Sequence, residues 1–242
     1  MLSAMRCHRH RRYGALVAVL LLAAGPACGE DPPGGLDVYI LRHAETVGNA
    51  TGTYTPAAES QFSEKGRRQI AGIVDSLANH RFDAILVSPT PRTRGTIRPY
   101  LEAHGRTAEI WPEFEECRCG HERLAAFEGE LPTGEPIVLE ADEPALFAFR
   151  EPGAASHYAR GNYAHDLARI RRGCELLEKR FGHSGKSVLI VGHRCAGSRI
   201  IETLLGIEPQ GRFSLENGQL AHLQQQPDGR FRLVMINGKR FR

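Results

Sequence analysis

Three apolar runs in this 242-residue chain each end in residues that could do chemistry on an anion. Leu36-Asp37-Val38-Tyr39-Ile40-Leu41 runs into Arg42-His43-Ala44-Glu45. Ser187-Val188-Leu189-Ile190-Val191 runs into Gly192-His193-Arg194, and Ala84-Ile85-Leu86-Val87 into Ser88-Pro89-Thr90-Pro91-Arg92. A guanidinium presents five donors in a fixed fork that matches the oxygens of a phosphate-like anion. A neutral imidazole is a nucleophile that such an anion does not repel, and its second ring nitrogen can be fixed by a backbone carbonyl. Two histidines with two or three arginines would bind a phosphomonoester, and one histidine would be free to attack it.

These residues converge only if the runs are neighbouring strands of one open parallel sheet, whose ligand crevice lies beyond the carboxyl ends of the strands. The pattern between them supports this. Ser63 can cap a helix carrying Ile70, Ile73, Val74 and Leu77 at helical spacing. A second helix starts near Pro91, bears Ile97, Tyr100 and Leu101, and stops at Gly105. Residues 107–111 read as a short third strand. From 112 to 160 regularity is lost among Pro132, Pro136, Pro144 and Pro152, with one short helix capped by Asp142; such a stretch reads as a lid or binding loop. Leu167, Ile170, Cys174, Leu177 and Phe181 then mark an amphipathic helix that Gly182 terminates. The strand 187–191 leads to a helix over about 195–205, ended by Gly206. Two last strands, 220–225 and 231–236, turn at Pro227-Asp228-Gly229. The order predicts an α/β fold: a three-layer α/β/α sandwich on a mostly parallel sheet with an antiparallel finish. The first βα turn has no glycine-rich phosphate loop, which excludes a dinucleotide-binding reading.

The first residues read as a targeting segment. Arg6, Arg9, Arg11 and Arg12 form a basic region, 15–24 is apolar but too short to span a bilayer, and Gly25-Pro26-Ala27 is a small-residue cleavage site before Cys28. The expectation is a signal peptide at 1–27, a linker at 28–35, and one catalytic-sized domain at 36–242 with an insertion at about 117–160. The protein would be exported to the periplasm, either free or as a lipoprotein attached to the membrane through an acylated Cys28. The charge argument follows from this. The whole chain carries 31 basic and 28 acidic residues, a net +3. Without the four leader arginines it has 27 against 28, so the basic excess belongs to the leader and no nucleic-acid partner is expected. Cys174 falls on an apolar helix stripe and reads as a small core residue. Cys117-Arg118-Cys119 with His121 lacks a convincing fourth metal ligand, so neither a metal nor any other cofactor is expected.

Taken jointly, Arg42-His43-Ala44-Glu45-Thr46 with Asn49, Phe62-Ser63-Glu64-Lys65-Gly66-Arg67, Ser88-Pro89-x-x-Arg92 and Val191-Gly192-His193 resemble the histidine phosphatase superfamily, in the branch of the phosphoglycerate mutases and many small phosphatases (branch 1). The resemblance spans nearly all of 36–225 except the middle insertion. It implies that His43 is phosphorylated during turnover, that Arg42, Arg92, the second pocket histidine His193 and Asn49 near the pocket rim bind the phosphoryl oxygens, and that His193 also takes part in catalysis. It places the proton donor at Glu116 of Phe114-Glu115-Glu116, with Glu115 the competing choice. Asn217 resembles an asparagine that often precedes the next strand, and reads equally well as a turn residue. Ala44 stands where the family usually has glycine. If the family fold holds, Cys195 and the 117–119 segment converge on one pocket, which makes a disulfide from Cys195 to Cys117 or Cys119 conceivable.

The substrate implied is a small phosphorylated molecule, and the function expected is an exported phosphatase. Two alternatives stand beside it: a silent phosphate-ligand binding or regulatory module, and a phosphomutase. The mutase's Arg-His-Tyr-Gly run after the acid is replaced here by Cys117-Arg118-Cys119-Gly120. The acid-phosphatase branch has His-Asp where this chain has His193-Arg194.

Overall fold

A computed structural model describes residues 34–118, 120, 127, 129–150 and 157–241. Residues 1–27, read from the sequence as a signal peptide, most of the segment 28–35 read as a linker, Cys119 and His121 lie outside these residues. Among the described residues no helix is long and apolar enough to cross a membrane.

The valine-, leucine- and isoleucine-rich runs form the centre of an eight-stranded sheet, as expected of strands covered on both faces. In chain order the elements are β1 (Asp37–Arg42), α1 (Val47–Thr51), α2 (Pro56–Ser60), α3 (Glu64–Leu77), β2 (Ala84–Val87), α4 (Pro91–His104) and β3 (Ala108–Ile110). A 3₁₀ turn at Pro112–Phe114 precedes β4 (Thr133–Pro136), β5 (Phe147–Phe149), β6 (His157–Ala159) and α5 (Tyr163–Phe181). The chain closes with β7 (Ser187–Gly192), α6 (Arg194–Leu204), β8 (Leu220–Gln225), β9 (Phe231–Ile236) and β10 (Lys239–Arg240). The sheet order is β10-β9-β8-β1-β7-β2-β3-β5, and β4 pairs with β6 in a separate ribbon. Strands β1, β7, β2, β3 and β5 run parallel; β8, β9 and β10 add an antiparallel edge. The expected mostly parallel sheet is thus mixed, parallel through its centre and antiparallel along one side.

Side chains alternate across a strand, and that period builds the three layers. Val188 and Ile190 of β7 join the core under α5 and α6, with Ile170, Leu177, Ala196 and Ile200. Their neighbours Leu189 and Val191 join the opposite core under α3 and α4, with Ile73, Leu77, Ile97 and Leu101. Cys174 is buried in the first of these, as a small apolar residue.

Ser63 caps α3 by accepting from the Gly66 amide, and Gly105 ends α4 in the left-handed region at φ 58°. Gly182 ends α5 differently. Its φ is −55°, and its role is space, since a Cβ there would lie 2.5 Å from the Glu178 carbonyl. Within the stretch read as irregular, Asp142 precedes only a 3₁₀ turn (Glu143–Ala145) and makes no cap bond; its Oδ2 instead accepts a hydrogen bond from Arg98 Nη2 at 2.5 Å. The same stretch supplies β5, whose Phe147 is buried, and the ribbon of β4 and β6. These pieces are four residues or fewer.

Candidate active site

Register brings the three strand ends level. Arg42 of β1 lies opposite Gly192 of β7, and Val87 of β2 lies opposite Val191. The next residues, His43, His193 and Ser88, therefore emerge side by side. The two imidazole centroids are 5.4 Å apart.

His43 is buried, and its Nδ1 sits 2.8 Å from its neighbour's carbonyl, Ala44 O. A carbonyl only accepts, so Nδ1 carries the proton and Nε2 of the neutral ring carries the lone pair. Burial first, then the charges of Arg92 and Arg42, push the His43 pKa down to about 3, against the opposing Ala44 hydrogen bond. The ring is thus unprotonated over the whole neutral range. Among the described residues the only non-glycine residues with positive φ are His183 and Asn237, so the methyl of Ala44 carries no backbone strain. Thr96 holds this turn: its Oγ1 accepts from the Ala44 amide at 3.0 Å and donates to Arg92 O at 2.7 Å.

His193 is fully buried, with Nε2 2.7 Å from Ser88 Oγ. Its Nδ1 is buried without a hydrogen-bond partner in the protein. Burial, followed by Arg92, His43, Arg169 and Arg42, holds its pKa well below the usual imidazole range. With the Ser88 hydroxyl donating to Nε2, Nδ1–H is left to donate to an anion's oxygen.

Arg42 donates through Nη1 to Leu215 O at 2.9 Å, which aims the fork. Burial lowers its pKa, partly offset by the nearby Glu116 carboxylate. Arg92, near the start of α4, has Glu59 at 3.8 Å and is a neighbouring charge for His43, His193 and Glu116 alike. Asn49 is the capping-box partner of Thr46 on α1, and its Oδ1 also accepts from Asn217 Nδ2 at 3.0 Å. The other contact of Asn217 Nδ2 is the His43 carbonyl, at 3.0 Å, so Asn217 is tied into the site and is more than a turn residue.

The two candidate acids go separate ways. Glu116 Oε1 accepts from the Ala196 amide at 2.8 Å and its own neighbour's Cys117 amide at 3.0 Å, while Oε2 faces the Cys195 amide at 3.4 Å. Its carboxyl thus sits on the N-terminus of α6, directly behind His193. Burial raises its pKa, and these amides and Arg92 oppose the rise. Glu115 Oε2 accepts instead from the Ala159 amide of β6 at 2.5 Å, and burial raises its pKa too.

The sequence reading missed Ser88, Thr96 and Gln69 as site-building residues. Gln69 accepts from the Glu45 amide at 2.8 Å and donates to Asn217 O at 2.8 Å. The only sequence signal was that Ser88 belongs to Ser-Pro-x-x-Arg; Thr96 and Gln69 lie on ordinary helix faces. As for the thiols, Cys117 and Cys174 are free and buried, whereas Cys195 is disulfide-bonded. Pairing of Cys195 with Cys117 is therefore ruled out, and the alternative, Cys195 with Cys119, falls on a residue outside those described.

Residues 38–238 match the family model of the histidine phosphatase superfamily (branch 1). An adenosylcobalamin/alpha-ribazole phosphatase of Salmonella typhi is 34% identical over 79 residues, 33% of this chain and 39% of that protein, so the chain spans about two fifths of that relative's length. A probable phosphoglycerate mutase of Yersinia pestis is 26% identical over 196 residues, 79% of this chain and 86% of that protein. Among solved structures, a putative alpha-ribazole-5'-P phosphatase from Escherichia coli superposes with a TM-score of 0.60 at 18% identity, covering 86% of this chain and 98% of that one. A mycobacterial glucosyl-3-phosphoglycerate phosphatase complexed with VO3 gives 0.57 at 19% identity, covering 84% and 99%.

Proposed function

This chain belongs to the histidine phosphatase superfamily, branch 1, and from that premise we propose that it hydrolyses small phosphomonoesters through a phosphohistidine on His43. The observation that carries the reading is the His43 ring, buried between Arg42 and Arg92 with its Nδ1 proton committed to Ala44 O. That arrangement suits a nucleophile and has no use in a module that only binds.

The substrate's phosphoryl oxygens take the Arg42 and Arg92 forks and His193 Nδ1–H, which spread positive charge over the group as charge builds on it. His43 Nε2 attacks phosphorus, and the bond to the leaving oxygen breaks. Glu116, whose pKa burial raises, gives its proton to that oxygen. Water then attacks the phosphorus of phosphohistidine and returns a proton to Glu116; the P–N bond breaks and phosphate leaves. Glu115, held on β6, is the less suited donor.

The test is His43→Ala. It is expected to abolish phosphate release from p-nitrophenyl phosphate while leaving the circular dichroism spectrum unchanged, and the wild type trapped during turnover carries an acid-labile phosphate on His43. Activity is expected to survive EDTA. Normal turnover by His43→Ala would end the proposal. The name of the Yersinia relative favours a second reading, phosphoryl transfer between positions of one substrate. Phosphoglycerate isomerised without net phosphate release would support it. The leader further leads us to place the enzyme outside the cytoplasm, free or anchored at Cys28.

A further inference from the structure

Residues 112–118 carry the two candidate acids and contain little regular structure, only the 3₁₀ turn. The turn itself satisfies only the Pro112 carbonyl, from the Glu115 amide at 3.1 Å, and a buried carbonyl left unpaired is costly. One guanidinium meets the carbonyls of Pro112, Glu113, Glu115 and Glu116. Arg169, on α5, donates through Nη1 to Pro112 O at 3.0 Å, Glu113 O at 2.9 Å and Glu115 O at 3.0 Å. Its Nη2 donates to Glu116 O at 3.3 Å and to Asp166 Oδ1 at 3.2 Å. Nη1 has two protons for three carbonyls, so one proton is shared.

Asp166 completes the other flank. Its Oδ2 accepts from both the Arg118 amide and Arg118 Nη1, each at 2.9 Å. The Arg169 and Asp166 side chains are 8% and 1% exposed, so this pair is no surface bridge. Close approach is built in one turn further along α5, where a Cβ on Gly173 would lie 2.7 Å from Glu113 Cβ and Phe114 Cε1.

Glu116 is therefore held from two sides. Arg169 and Asp166 of α5 fix its backbone before and after it, and the first amides of α6 hold its carboxylate, the nearest being Ala196 N at 2.8 Å. We propose that Arg169, braced by Asp166, is a positioning residue for the proton donor: it winds the 112–116 backbone around one cation so that the Glu116 carboxyl stays at the leaving-group oxygen. This rests on Glu116 being the donor. It makes a distinction that a general packing role would not make. Attack by His43 and phosphate binding by Arg42 and Arg92 use other segments, and Arg169 acts on His193 only as one of several nearby charges, so proton delivery is the step that depends most on Arg169.

Leaving groups separate the two roles. An aryl phosphate leaves without protonation, whereas an alkyl phosphate such as glycerol phosphate needs it. Arg169→Met is expected to lower kcat on p-nitrophenyl phosphate by about 3-fold or less and on glycerol phosphate by on the order of 10²-fold, the scale of general-acid catalysis. Asp166→Asn, which keeps the side-chain volume, is expected to show the same selectivity more weakly, and it serves if Arg169→Met does not fold. In Glu116→Gln, adding Arg169→Met is expected to cost no more on glycerol phosphate than the about 3-fold or less it costs on p-nitrophenyl phosphate. Glu202→Gln is the control: it loosens an equally buried carboxylate that holds the Gln210, Gly211 and Arg212 amides, and its losses should be uniform across substrates. Uniform losses in both Arg169→Met and Asp166→Asn, alongside a selective loss in Glu116→Gln, would overturn the positioning role and leave the donor assignment intact. Absence of selectivity in Glu116→Gln itself would overturn the donor assignment, and this inference with it.

Discussion

His43 and His193 are both kept neutral by burial among cations, and that has a cost in acid. Below about pH 6.5 an unfolded imidazole takes up a proton that the folded ring refuses. The unfolded state then binds more protons, so stability falls as pH falls, by about 1.4 kcal/mol per pH unit for each such ring. For His43 the loss continues down to its folded pKa of about 3. Glu116 works in the opposite direction. Its folded pKa is raised, so its contribution is present in acid and is lost as pH rises through that value. Urea denaturation of wild type and His43→Asn between pH 4 and 7 is the measurement. The variant is expected to show a shallower fall by about one proton's slope; parallel curves would mean that the ring is not held neutral. At this scale the sequence was informative where one residue type at a strand end suffices, as for Arg42, His43, Arg92 and His193. It was silent where a role depends on long-range closure. Ser88 reaches His193 across 105 positions, and Asn217, singled out only by the family resemblance and equally readable as a turn residue, reaches the His43 carbonyl across 174.

The elements that carry the site were legible in proportion to their length. Helices α3, α4 and α5, of 14, 14 and 19 residues, have enough turns for an apolar stripe to stand out. Strand β5 has three residues, too few for alternation to register, and it is recruited by the edge of β3. The insertion is also tied down by contacts that no local pattern shows: Glu143 meets Arg94 of α4 in a buried bidentate pair at 2.7 and 3.0 Å. The motif Phe62-Ser63-Glu64-Lys65-Gly66 gains a physical reason from the fold. Helix α3 begins so close to the turn after β1 that a Cβ on Gly66 would fall 2.0 Å from the backbone carbonyl of Glu45. Ser63 Oγ and Lys65 Nζ bind the Glu45 carboxylate at 2.8 and 2.9 Å, so this helix start buttresses the residues beside His43. Gly66→Ala is expected to destabilise the protein by about 1–3 kcal/mol, the range for overpacking, and to lower kcat beyond what lost folding explains. Thermal denaturation beside steady-state kinetics reads both, and a variant as stable and active as wild type would show that the contact relaxes freely.

At the scale of the whole molecule, the proposed export can be tested through two features far apart in the chain. The leader, with its four arginines, short apolar core and small-residue junction before Cys28, argues for export. Cys195 is disulfide-bonded two residues after His193, on the helix whose amides hold Glu116. Structural disulfides persist in oxidising compartments and are reduced in the bacterial cytosol. A chain carrying the leader should therefore reach a place where Cys195 is oxidised, whereas a chain starting at Gly34 should stay inside and keep it as a thiol. Alkylation of intact cells before lysis, followed by peptide mass spectrometry, distinguishes them. Cys195 is expected to be unmodified in the exported protein and alkylated in the leaderless one. Cys117 and Cys174, both buried, are expected to react only after unfolding in either case. A radiolabelled fatty acid adds the last distinction. Label that disappears in Cys28→Ala marks a lipoprotein held at a membrane surface by its acyl chains. Unlabelled protein in the periplasm, with Cys195 oxidised, keeps export and removes the anchor. Full-length protein in the cytosol with Cys195 reduced would refute both the targeting reading and the compartment that the disulfide implies.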